Sequence, residues 1–165
     1  APAWRAGVNL YYSGSASDES QITLKEHNDV AVTAGPCVRA TTGSGTGSGY
    51  TFILQLPSGG NYTSIDLFKN GSWFAGISGS WAISTDHTLR IKASGTTTVT
   101  IETWVDGVPQ TTKTDSSSPI TSGHPGIYVW NNTDSAVNLI DDWYDSITDA
   151  FPPLFSHRQN TLLRR

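Results

Sequence analysis

Residues 86–107 read DHTLRIKASGTTTVTIETWVDG. Side chains alternate across a strand with period two, so Leu89 and Ile91 share one face while Thr88, Arg90 and Lys92 share the other. The same rule groups Val99, Ile101, Thr103 and Val105 against Thr100, Glu102 and Trp104. Ser94-Gly95 separates the runs Thr88–Ala93 and Thr97–Val105, which therefore read as a hairpin with one apolar face. Asp106-Gly107 tolerates positive φ and turns the chain into a further strand, Val108–Lys113.

The same signals extend in both directions. Upstream lie Ser20–Lys25, Val30–Ala34, Cys37–Thr41, Tyr50–Leu56, Ser64–Phe68 and Trp73–Ile77, the last two joined by Asn70-Gly71, a strong hairpin turn. Downstream lie Gly126–Trp130 and Val137–Tyr144. The glycine-serine run Thr42–Gly49 reads as a loop between strands, since a phosphate loop would need a helix after it and a basic residue. About eleven strands and no long helix-period segment predict an all-β fold: an antiparallel two-sheet β-sandwich of jelly-roll type.

Composition agrees. Of 165 residues, 15% are charged, and three glutamates and four lysines are few for helical surfaces. The length suits one domain, residues 1–150, followed by an extended C-terminal arm, 151–165. Fourteen acidic and ten basic residues exclude the basic field of a nucleic-acid binder. No apolar run is long enough to span a membrane. Cys37 cannot form an internal disulfide and reads as a small buried hydrophobe. The N-terminal APAW lacks the pattern of a leader peptide.

The stretches GYTFILQL (49–56), IDLFKNGSWFAGIS (65–78), the opening run, SGHPGIYVW (122–130) and LIDDW (139–143) together resemble a known pattern. It is that of the laminin-G-like jelly rolls in the concanavalin A-like lectin/glucanase superfamily, in the style of bacteriophage decoration and appendage proteins. The resemblance covers 50–145 well and 1–49 loosely. It implies the sandwich, and it allows one structural calcium on the last strand, where Asp141 matches the position; otherwise Asp141 is a solvated or turn-capping residue. No cofactor is required.

Glycan chemistry is then the question. Retaining glycosidases hold two carboxyls about 5–5.5 Å apart, but Glu19, Glu26 and Glu102 never fall two to a strand. No nucleophile elbow is present and His87 reads as a strand-end hydrogen-bonding residue, so a non-enzymatic role is expected. Sugar rings stack on aromatic faces. Trp104 with Glu102, Arg90 and Lys92 forms one candidate glycan site, and Tyr128 and Trp130 with Asn132 another. The other reading of these aromatics is core or interface.

The arm carries Arg158, Arg164 and Arg165 without an acid, beside the apolar Phe151, Leu154, Phe155, Leu162 and Leu163. That pattern suggests docking. The expected function is a virion-surface (capsid decoration or appendage) protein on the phage particle. Through the arm it would assemble with capsid or tail proteins and copies of itself, with polysaccharide as a further partner. The alternative is a secreted carbohydrate-binding module, and the third reading a glycan-active enzyme.

Overall fold

Alternation decides which side of every strand is inside. In the computed structural model, which describes residues 8–11, 18–24, 32–41, 48–55, 61–82, 84–131 and 140–145, twelve strands form two antiparallel sheets. They are β1 (Val8–Tyr11), β2 (Glu19–Leu24), β3 (Val32–Ala40), β4 (Tyr50–Gln55), β5 (Asn61–Lys69) and β6 (Ser72–Ala82), followed by β7 (His87–Ser94), β8 (Val99–Val105), β9 (Val108–Pro109), β10 (Lys113–Asp115), β11 (His124–Asn131) and β12 (Ile140–Asp145). Sheet A has the order β1-β11-β3-β4-β5-β6; sheet B has β10-β8-β7-β2-β12, with β9 paired to β8. Between them Ile22, Val38, Phe52, Leu54, Ile65, Leu67, Leu89, Ile91, Val99 and Ile101 build the core. The all-β sandwich is as expected; the proposed arm, 151–165, lies outside the described residues.

The opening hairpin pairs in register, Arg90 opposite Trp104 and Lys92 opposite Glu102. Strand ends shift by a few residues from expectation, as in β5 and β6, and two divisions of the chain differ. The expected strands Val30–Ala34 and Cys37–Thr41 are joined through Gly35-Pro36 in one strand, β3, from Val32 to Ala40: a Cβ on Gly35 would stand 1.7 Å from the Phe52 carbonyl oxygen, so glycine lets β4 approach where a break was expected. Val108–Lys113 is interrupted instead: the Gln110 N–H still donates to the Thr103 carbonyl at 2.8 Å, and the register then slips by one residue before Lys113 pairs with Ile101. Val8–Tyr11 is a strand too short for alternation to reveal.

One side chain crosses between the sheets. Where β11 advances from His124 to Gly126, β3 advances from Ala40 to Cys37, so β3 holds an extra residue. Arg39 sits in this bulge with φ 54° and is only 2% exposed. Its Nε and Nη2 each donate to one oxygen of Asp18 at 2.8 Å, and Nη1 donates to the carbonyls of Gly95 (2.9 Å) and Ile120 (2.8 Å). The hydrogen bonds to Asp18 hold the guanidinium above its ordinary value although burial opposes this. Gly123 passes so close that a Cβ there would meet the Arg39 carbonyl carbon at 2.3 Å.

A second network shares Ile120. The Tyr50 hydroxyl donates to Asp115 Oδ2 (2.7 Å) and accepts from the Ile120 N–H (2.9 Å). Lys69 Nζ lies 2.7 Å from Asp115 Oδ2 and donates to the Ser117 carbonyl at 2.6 Å. Burial pushes Asp115 up, but Lys69, Tyr50 and the Ser117 N–H together hold it below its ordinary value. Burial, then the bond to Asp115, pushes Tyr50 up to about 12.

Two predictions follow from these networks. Arg39→Met strands the Gly95 and Ile120 carbonyls and should cost about 3 kcal/mol or more, read as a lower urea midpoint; an unchanged midpoint would contradict this role. Stability should also fall at both ends of the pH scale. The Asp115 contribution is complete above about pH 4 and is lost as pH drops through its lowered native value. The Tyr50 contribution is complete below about pH 10 and is lost as pH rises through about 12. Asp115→Asn should flatten the acid limb and Tyr50→Phe the alkaline one in denaturation series against pH.

Candidate functional site

Sheet B assembles the first expected cluster on its outer side. Val99, Ile101 and Val105 point into the core, so Glu102 and Trp104 face outward beside Lys92 and Arg90. The cluster is internally engaged. The Arg90 guanidinium carbon stands 4.3 Å from the centroid of the Trp104 ring, a cation–π stack. Arg90 Nε lies 2.5 Å from Glu19 Oε1, a close ion pair that is not aligned as a hydrogen bond. Glu19 is also in register with Lys92. One face of the indole is therefore taken by a neighbour.

The second cluster is described in part. Tyr128 stands in β11 opposite Gly35, half-buried, and burial pushes its hydroxyl above its ordinary value. Trp130 occupies the register position opposite Thr33, and Asn132 lies outside the described residues. Asp141 stands in β12 opposite Thr23. Among the described residues no group of three or more His, Cys, Asp or Glu could hold a metal ion. His87 ties a strand end: Nδ1 lies 2.7 Å from Asp106 Oδ2, and Nε2 lies 2.7 Å from the Ala82 carbonyl. Cys37 is buried, which pushes its thiol up to about 12 and keeps it protonated.

Sequence reasoning missed the aromatic that stands most open. On sheet A, Ile65, Leu67 and Ala75 point into the core, so Asp66 and Phe68 face outward. Across the ladder Asp66 pairs with Gly76, Phe68 with Trp73, and Ser64 with Ser78. Trp73 is 64% exposed, and only it and Val108 are exposed large hydrophobics among the described residues. A Cβ built on Gly76 would lie 3.0 Å from Asp66 Oδ1 and 3.4 Å from Trp73 Cζ2, so the glycine leaves room for an indole and a carboxylate side by side. Farther along this face Cys37, Thr51 and Ile53 are buried, which confines the open area to β5 and β6. Asn70-Gly71 was the available signal. Both residues have positive φ, 48° and 76°, and the turn brings Trp73 back beside Phe68.

No family model and no curated protein matches the chain. Solved structures share its fold. The carbohydrate-binding module CBM66 from Bacillus subtilis is 22% identical, with 78% of this chain and 77% of that one covered and a TM-score of 0.55. A tetrameric galectin from the ball sponge Cinachyrella sp. is 9% identical, with 84% and 98% covered and a TM-score of 0.50. The likeness establishes a β-sandwich of the jelly-roll kind found in such modules and galectins. At these identities it establishes the architecture alone.

Replacing Trp104 distinguishes the two faces. Trp104→Ala removes the Arg90 stack and half-buried apolar area, and should lower stability by about 1–3 kcal/mol. The expectation of a glycan site at Trp104 requires instead that Trp104→Ala weaken polysaccharide retention, measured by affinity electrophoresis, at unchanged stability.

Proposed function

We propose that this domain binds glycans on the outer face of β5 and β6, with Trp73 as the stacking platform and Asp66 as a hydroxyl acceptor. The observation that carries the reading is the exposed Trp73 indole lying beside Asp66 across Gly76. The C–H face of a sugar ring is apolar and packs on an aromatic plane; its hydroxyls need fixed acceptors at the rim. A carboxylate supplies two oxygens for that purpose. An isolated exposed tryptophan would need no explanation. Here a carboxylate and a residue without a side chain stand beside it. The fold shared with a carbohydrate-binding module and a galectin supports the reading by analogy.

The proposed activity is binding without catalysis. Glu19 and Glu102 stand on β2 and β8, with β7 between them, and Glu19 is engaged with Arg90. A place on a virion surface, with assembly through residues 151–165, rests on the sequence pattern of that segment, which lies outside the described residues.

Trp73→Ala is the direct test. An exposed side chain away from the core should change stability by no more than about 0.5 kcal/mol, while affinity for a retained polysaccharide should drop by about tenfold or more. Undiminished affinity in a folded variant would overturn the assignment. Gly76→Ala gives an independent check, because its methyl must push Asp66 or Trp73 aside and so weaken binding in a variant that stays folded.

A further inference from the structure

We infer that β6 is a homodimerisation edge: it pairs antiparallel with β6 of a second copy about a two-fold axis at Ile77. Among the described residues β6 ends the order of sheet A. Its main chain is exposed at Gly76 and Gly79, where no side chain covers it. Sheet edges usually resist pairing with another chain through charges or proline. From Asn70 to Thr85 this chain has neither. The ladder to β5 is irregular at two places, beside Phe74 and at Gly79-Ser80, which leaves Ala75–Ser78 in regular register.

The strand is complementary to itself. A two-fold axis normal to a sheet keeps inward residues inward only when it passes through a residue, not between two. With the axis at Ile77, that residue meets its own copy, Gly76 meets Ser78, and Ala75 meets Gly79. Small partners on both sides let the strands reach the ordinary spacing of about 4.8 Å. Apolar area supplies the driving force. Of the five partly buried hydrophobic residues packed against the core, three, Phe74, Ile77 and Trp81, stand on β6. Phe74 lies three residues before Ile77 and Trp81 four after it, so each copy's Phe74 comes diagonally beside the other's Trp81 on the core side. A second copy thus extends the core across the junction. The uncharged strand meets itself without opposing like charges, whereas a charged partner would find no counterpart in Asn70–Thr85. The same axis puts both Trp73 indoles on one side of a continuous sheet, where they would hold a polymer at two points. Only this consequence rests on the glycan reading; the mass of the particle does not depend on it.

Sedimentation equilibrium of the intact chain should give a dimer mass at about 0.5 mM that falls to the monomer mass at about 5 µM, the range of a small interface. A monomer at both concentrations would overturn the inference. Ser78 is exposed, so Ser78→Lys should stay folded, while two lysines beside the axis should weaken dimerisation at least about tenfold. A folded Ser78→Lys variant that dimerises as before would put the contact elsewhere and overturn the assignment. Cysteine substitution locates the axis. Ile77→Cys would set two thiols within disulfide reach, and Cys37 is buried and protonated. Diamide should oxidise Ile77→Cys to a covalent dimer at least about tenfold faster than the more exposed Ser80→Cys, whose copies would stand about 20 Å apart. Equal or reversed rates would overturn the axis at Ile77.

Discussion

The sandwich depends on Arg39. A buried cation is unfavourable unless its hydrogen-bonding capacity is met, and here the guanidinium fork meets two carboxylate oxygens and two main-chain carbonyls. Those partners come from the segment ahead of β2, the β7–β8 turn and the link before β11, so one side chain of sheet A fastens three segments attached to sheet B. Lysine could not substitute, because a single ammonium has neither the reach nor the planar geometry to serve all three. A left-handed conformation at a non-glycine residue is itself unfavourable, and the bulge that produces it is the means by which an arginine in a strand turns to the sheet junction.

The two outer faces are built on different principles. On sheet B Arg90 stacks on Trp104 and pairs with Glu19, and Lys92 stands in register between Glu19 and Glu102, an arrangement of opposite charges that stabilises a sheet surface. On sheet A the outward positions of β5 and β6 are aromatic, small or hydroxylic, with one carboxylate. Among the described residues, the outward charges are therefore more numerous on β7 and β8 than on β5 and β6.

What could be read from the sequence depended on parity. The β7–β8 hairpin was legible, its faces as expected and its strand ends within two residues, because the alternation within each strand is unbroken. The Trp73 site was not, and the reason is local. Between Leu67 and Phe68 the ladder to β6 shifts by one residue, so Trp73 and Gly76, three apart, share a face that strict alternation would deny them. Arg39 was hidden in the same way: in Cys37–Thr41 it reads as one polar residue in a strand, and only the bulge with its positive φ turns it inward. Gly35-Pro36 misled in the other direction, looking like a break where glycine makes room for the neighbouring strand.

These irregularities are connected. Gly49 passes beside the Arg39 bulge so closely that a Cβ there would stand 2.4 Å from the Val38 carbonyl oxygen. The same residue is clamped to the β5–β6 turn: its N–H donates to Asn70 Oδ1 at 3.0 Å, and its carbonyl accepts from the Asn70 N–H at 2.9 Å. Asn70 begins the two-residue turn that delivers Trp73 beside Phe68. A continuous set of hydrogen bonds and close packing thus runs from the residue that joins the sheets to the turn that positions the exposed Trp73. The bulges that break alternation are where the chain departs from a plain sandwich, and Trp73, the most exposed large hydrophobic among the described residues, stands at one end of that connected set.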